Sequence, residues 1–299
     1  MDKTGGPATA LSLEEKRALL GQLLLEKANQ PTQFPLSFAQ QRLWVLDQLE
    51  PGMTAYNNAG AVRLKGVLNV VALEQTLTEI VRRHEVLRTT FRLPNEGPVQ
   101  VVHAPERFPL QIYDLRQLPA AEREDKIRTM AVEEVESAFD LGRGPLMRAK
   151  LLRLGEEEHV LVLAMHHIVS DGWSVGIFVR ELGLLYEAYA SGQESPLKEL
   201  EIQYGDFAKW QREYLQGEVL EEQLSYWRKQ LGGDLPILEL PTDHVRPAVR
   251  SYRGSRQGML LSRVLTQKLK QLSREEEATL FMTLFAAFTV LLSKSLTEP

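Results

Sequence analysis

The chain has 299 residues, with 35 Lys and Arg against 40 Asp and Glu, a formal net charge of -5 and 43% hydrophobic residues. That acidic balance lacks the basic surface that displaces counterions from phosphates, so it argues against a nucleic-acid partner. There is no cysteine, hence no disulfide, thiolate nucleophile or thiolate metal site, and the length predicts two domain-sized units or one two-lobed domain.

In chain order, Met1 to Ala10 is small and polar and lacks the apolar stretch of a signal peptide. Ser12 to Glu15 has the form of a capping box, and Leu13, Leu19, Leu20, Leu23 and Leu24 follow at roughly helical spacing up to Asn29-Gln30-Pro31. Residues 1–30 are therefore expected to be a leader and a linker helix. A helix is predicted over Phe38–Leu49, stopped by Pro51-Gly52, then a short strand over Ala61–Lys65. Val70–His84 reads as an amphipathic helix, and Leu87–Leu93 with Val99–His103 as a hairpin. A strand over Leu110–Asp114 precedes a long helix over Ala120–Phe139, ended by Gly142 and Gly144. Two strands follow, Met147–Leu154 and His159–Met165, and then a loop from His166 to Gly172. The rest is mainly helical, with helices expected over Trp173–Ala190, Tyr204–Gln216, Glu218–Leu231, Val264–Arg274 and Thr279–Ser293. Asp243 to Arg256 is arginine-rich, has no periodicity, and is expected to be an extended crossing segment. The apolar run Ala278–Leu292 is too short to span a bilayer, so no membrane is expected and the chain is placed in the cytoplasm. Strands and helices mix without strict alternation, which predicts an α+β fold with a mostly antiparallel sheet and flanking helices.

The sharpest local feature is His166-His167-x-x-x-Asp171-Gly172, after the apolar run Val160–Ala164 and before a helix. A strand that runs into a helix through a short loop fixes side chains from one side. From the other it offers free helix amides to developing negative charge. A histidine there can take a proton near neutral pH. Three other readings compete. The two histidines can be satisfied core residues, or His167 and Asp171 can be metal ligands, or Ser170 or Ser174 can belong to a Ser-His-Asp triad. No third ligand lies at a telling spacing for a metal, and there is no Gly-x-Ser-x-Gly elbow for a triad.

The run does not stand alone. Ser37-Phe38-Ala39-Gln40-Gln41-Arg42-Leu43-Trp44, Arg83-His84-Glu85-Val86-Leu87-Arg88-Thr89-Thr90-Phe91, Met165 to Ser174, and Tyr204-Gly205-Asp206-Phe207-Ala208-Lys209-Trp210-Gln211 come in this order. They resemble the first four core motifs of condensation domains in nonribosomal peptide synthetases. Pro241-Thr242-Asp243 and Ser251-Tyr252-Arg253-Gly254 resemble the segment that crosses between the lobes of that family. The resemblance covers residues 34–296. The loop Ser170-Asp171-Gly172-Trp173-Ser174 is similar to that of peptide-bond-forming members, and Pro35 to Pro51 to members that join two L-residues.

The resemblance implies a chloramphenicol acetyltransferase-like fold: a first lobe over residues 31–180, then a crossing segment and a partial second lobe over 181–299. It implies an acyltransferase reaction in which a carrier-bound amine attacks a carrier-bound thioester. The expected partners are upstream and downstream peptidyl carrier domains and the adenylation domain of the same synthetase. No cofactor is expected on this chain, since the phosphopantetheine arms belong to the carriers, and no metal. His167 is expected to be the general base or to position the amine, and His166 to be structural. Asp171 is expected to orient the loop by pairing with Arg83 or Arg88. Gly172 leaves room for substrate and offers its amide to the oxyanion. Trp173 and Trp210 are expected to pack, Ser174 to support the loop, and Gln40 and Arg42 either to line the tunnel or to pack the first helix. Three alternatives accompany this reading: a starter condensation domain that acylates the first amino acid with a fatty acyl group, a non-catalytic piece that only folds or only docks carriers, or a free-standing acyltransferase acting on a soluble alcohol or amine.

Overall fold

The computed structural model describes residues 32–95, 97–235, 237–238, 240, 242–245, 254 and 257–297. The expected leader and its capping box fall outside them, as do Pro241 and Ser251–Arg253 of the crossing segment.

By contacts the chain divides into two compact units between Leu220 and Glu221. The first carries two sheets. Strand β1 (Thr32–Pro35) pairs antiparallel with β4 (Val99–Val102), which pairs antiparallel with β3 (Thr89–Arg92). The larger sheet has the order β2 (Asn57–Lys65), β7 (Glu158–His166), β6 (Met147–Arg153), β5 (Gln111–Asp114). Its pairs are antiparallel except β5–β6, which is parallel. The expected hairpin is β3–β4, preceded by a 3-10 turn over Glu85–Arg88. Two strands differ from expectation. β1 is additional, since its four residues, half of them polar, carry little pattern. β2 starts at Asn57, well before Ala61, because Asn57 and Asn58 are drawn into the ladder by the end of β7.

Helix α1 (Phe38–Leu49) opens with Ser37 as N-cap. The Ser37 side chain accepts from the Gln40 amide, and the Gln40 side chain accepts from the Ser37 amide, the reciprocal satisfaction of free amides that defines a capping box. Helix α2 (Val70–Arg83) buries Leu73, Leu77, Ile80 and Val81 on one face. It packs against α4 (Gly172–Ala190), which buries Phe178 and Leu185. Helix α3 (Ala120–Glu136) covers the other face of the larger sheet. There Ile127 and Met130 meet Leu152, Val160 and Val162. Leu161 and Met165 of β7 point into the larger core instead. β7 is thus buried on both faces, the reason it reads as an unbroken apolar run and not an alternation.

Helix α5 (Tyr204–Tyr214) lies against β1. A Cβ placed on Gly205 would come within 2.6 Å of the Phe34 ring, so glycine allows this close approach. Sequence reasoning starts a second lobe at about residue 180. By packing, α4 belongs with the two sheets, because Phe178 and Leu185 complete their core, and α5 lies in the same unit through its contact with β1.

Helix α6 (Gly217–Leu231) crosses the division at Leu220. The second unit also holds α7 (Arg263–Glu275) and α8 (Leu280–Thr297), which pack on each other at a bend of 105°. Ser273 ties them, its hydroxyl 2.7 Å from Thr283 Oγ1. Phe281, Phe285 and Leu291 on α8 are exposed. No single helix among the described residues is long and apolar enough to cross a membrane.

Candidate active site

β7 ends at His166, and the chain turns within five residues into α4. His166 is 3% exposed. Its Nδ1 accepts from the Ile168 amide at 3.1 Å, and its ring meets Phe139 edge-on. Burial, with His167 next to it, pushes its pKa down to about 4, so it is neutral near pH 7. A buried imidazole that accepts from the backbone and stays uncharged is a structural element of the loop. The Ser170 hydroxyl donates to the His166 carbonyl and the Val169 amide does the same, which closes the turn.

His167 faces the other way and is half-buried. Its amide donates to the Tyr56 carbonyl at 2.8 Å, one step beyond the β2–β7 ladder. The Tyr56 ring lies nearly parallel to its imidazole, 6.4 Å between centroids. Its Nδ1 sits 2.7 Å from the Ser170 carbonyl oxygen and 3.1 Å from the Asn58 side-chain amide. A ring nitrogen bonds a carbonyl oxygen only by donating, so Nδ1 carries the proton and Nε2 the lone pair. Nε2 makes no hydrogen bond among the described residues. The arrangement places a lone pair on Nε2 of an imidazole held by main chain.

Asp171 is the N-cap of α4. Its Oδ1 accepts from the Ser174 amide at 2.8 Å and the Ser174 hydroxyl at 2.6 Å. Those bonds, first the one from the Ser174 side chain, hold its carboxyl below the usual carboxylate range. The expected pairing of Asp171 with Arg83 or Arg88 does not occur. Arg83 is buried beside Glu181 and donates to the Lys198 carbonyl. Arg88 donates to the His103 carbonyl and to Glu85. A free helix start needs an acceptor at its own N-cap, and Asp171 is used up there.

Gly172 is the first residue of α4 and is exposed, with nothing within 4 Å of the position a Cβ would take. Its amide makes no hydrogen bond among the described residues. Trp173, expected to pack, does not: it is 83% exposed on the first turn of α4. Trp210 is exposed as well and stacks on Tyr214, 5.2 Å between centroids. Gln40 is buried in the Ser37 capping box and donates to Gln100, and Arg42 is exposed on α1. The fold thus gathers His166, His167, Asp171, Gly172, Trp173 and Ser174 at one junction. Arg83, Arg88, Gln40, Arg42 and Trp210 stand elsewhere.

Ser170 and Ser174 also form part of the wall of an apolar pocket of about 330 Å³, with Met165, Ile177, Phe178 and Phe207. Sequence reasoning misses Tyr56 and Asn58. Their only signal is a position just before a strand, and strand pairing alone brings them to His167. Among the described residues no cluster of three or more His, Asp or Glu side chains is placed to hold a metal ion.

An α+β body of this topology, delivering a His-His-x-x-x-Asp-Gly loop from the end of a central strand, is of the chloramphenicol acetyltransferase-like class. A model of the condensation domain family matches residues 30–297, and the chain belongs to that family. It is 48% identical over 291 residues to a component of the linear gramicidin synthase of Brevibacillus parabrevis, covering 97% of this chain and 4% of that protein. It is 42% identical over 260 residues to phosphinothricin tripeptide synthetase PhsC of Streptomyces viridochromogenes, covering 87% of this chain and 24% of that protein. The chain therefore spans a small part of the curated relatives it matches. Among solved structures, the X-domain from teicoplanin biosynthesis is similar, with a TM-score of 0.75 and 30% identity over 87% of this chain and 57% of that one. A four-domain nonribosomal peptide synthetase shares the fold at a TM-score of 0.74, over 88% of this chain and 20% of that one.

Proposed function

We propose that this chain carries the histidine loop of a condensation domain that forms peptide bonds between two carrier-bound substrates. The amine of an aminoacyl thioester attacks the carbonyl of an upstream acyl or peptidyl thioester. The C–N bond forms, the nitrogen gives up its proton, the C–S bond breaks and the carrier thiolate takes a proton. The observation that carries this reading is His167, with its Nδ1 proton held by the Ser170 carbonyl and its Nε2 unpaired among the described residues. In that tautomer Nε2 accepts the amine proton as the C–N bond forms. The proton passes from there to the leaving thiolate. The Gly172 amide, at the start of α4, is assigned to the tetrahedral oxyanion. The substrates ride on phosphopantetheine arms of the neighbouring carrier domains, and an adenylation domain loads them. Holding both arms at one histidine supplies much of the rate by making the encounter intramolecular.

The test is amide formation by the native synthetase polypeptide with loaded carriers. His167→Ala is expected to lower turnover by about 10²-fold or more while the melting temperature stays close to wild type. Near wild-type turnover in that variant would remove His167 from the chemistry. Turnover with acyl-coenzyme A but not with a peptidyl carrier would assign the domain to chain initiation instead.

A further inference from the structure

His167 Nδ1 has two polar neighbours, the Ser170 carbonyl oxygen at 2.7 Å and the Asn58 side-chain amide at 3.1 Å. The shorter contact demands a proton on Nδ1. An amide NH2 aimed at the same nitrogen would then set two donors against each other. The oxygen and nitrogen of an asparagine amide have nearly the same shape, and their hydrogen bonds decide which is which. Turned about its last bond, Asn58 presents Oδ1 to Nδ1–H as a second acceptor. The opposite orientation would favour a proton on Nε2, which takes away the lone pair that the reaction needs.

Asn58 is fixed where this choice matters. It pairs across the ladder with Met165, next to Asn57, which pairs with His166. Asn57 is itself tethered, its Nδ2 donating to the Val135 and Ser137 carbonyls. Tyr56, on the other side, takes the His167 amide and stacks on its ring. Tyr56 and Asn58 therefore both meet the imidazole, and the tether of Asn57 fixes the strand end between them. The titratable groups around it are His166, Asp171 and Tyr56. His166 is neutral, Asp171 is engaged with Ser174, and neither bonds Nδ1.

We propose that Asn58 is a positioning residue for His167: its side-chain oxygen is the second acceptor on Nδ1–H and selects the tautomer that leaves Nε2 basic. The purpose of this device rests on the catalytic reading above, but its readout does not. The experiment is a pH titration of the 299-residue chain labelled with nitrogen-15 in its histidine rings, read by NMR for tautomer and pKa of His167. The wild type is expected to hold the Nδ1–H form. Asn58→Leu is expected to raise the share of the Nε2–H form several-fold and to lower the pKa. Asn58→Asp is nearly isosteric and places a carboxylate on Nδ1–H, so it is expected to keep the Nδ1–H form and raise the pKa by about one pH unit or more. Opposite shifts in two variants at one position are not produced by a merely structural residue. A wild type that is mainly Nε2–H, or an Asn58→Asp pKa equal to that of wild type, would overturn the proposal. The second criterion stands even where Asn58→Leu fails to fold. Turnover by His167→Ala would overturn the catalytic reading and leave the tautomer result untouched, so the two failures are separate.

Discussion

Asp171 shows how a single residue in the motif acts. Its charge is not matched by an arginine. It accepts two hydrogen bonds from Ser174 and starts α4, so its contribution is that of an N-cap. Asparagine caps about as well as aspartate, whereas alanine does not cap. Asp171→Ala is therefore expected to cost about 1 kcal/mol of stability, and Asp171→Asn a few tenths. Urea denaturation of the two variants checks this, and equal losses would mean that the carboxylate charge matters more than the cap. The carboxyl sits below its usual range in the folded state. Its share of stability is thus present above the unfolded carboxylate pKa and is lost as pH falls through the folded one.

At the scale of elements, α2 and α4 are held together by more than apolar side chains. Glu181 on α4 is 4% exposed and meets two side chains from the end of α2. Its Oε2 is 2.7 Å from His84 Nε2 and 3.5 Å from Arg83 Nε. Arg83 is as deeply buried, and its Nε has no hydrogen bond. Removing Glu181 would leave the guanidinium without its counter-charge in a low-dielectric site. Glu181→Ala is expected to cost about 3–5 kcal/mol, large beside the total stability of a typical domain. Thermal unfolding of the variant tests this, and a shift of only a degree or two would show that water reaches Arg83. The same packing explains the second core motif. Arg83, His84 and Glu85 join α2 to α4 and to the 3-10 turn, and do not reach His167.

For the whole molecule, buried histidines make folding depend on pH. His166 is pushed down to about 4, and burial also lowers His103 and His159. For all three the unfolded chain binds protons more readily than the folded one. The sign follows: stability is full above the unfolded histidine pKa near 6.5 and falls as pH drops below it. The His166 contribution declines until its folded value near 4 is reached. From pH 7 to pH 5 the loss from His166 alone is about 2 kcal/mol. Denaturant midpoints at the two pH values measure it, and His166→Phe is expected to flatten the slope. An unchanged slope in that variant would mean that His166 takes up its proton as readily in the folded state as in the unfolded one.

Much of this protein was written in local pattern. The helices over Phe38–Leu49, Val70–His84 and Tyr204–Gln216, the β3–β4 hairpin and the strand before the histidines were all readable, because a 3.6-residue or unbroken apolar repeat and its caps need no distant partner. The His-His-x-x-x-Asp-Gly run and its order among the other motifs were equally legible, since they lie along the chain. Only tertiary structure decided what touches what. Asp171 turned from an expected arginine partner to its own helix start because the first turn of α4 offers it free donors, while Arg83 and Arg88 are engaged elsewhere. Trp173 stayed exposed, since the core beside α4 is filled by Phe178 and Leu185. Tyr56 and Asn58 reached His167 across the β2–β7 ladder from more than a hundred residues away in sequence. Strand register sets such contacts, and register is a property of two strands together that neither one carries alone.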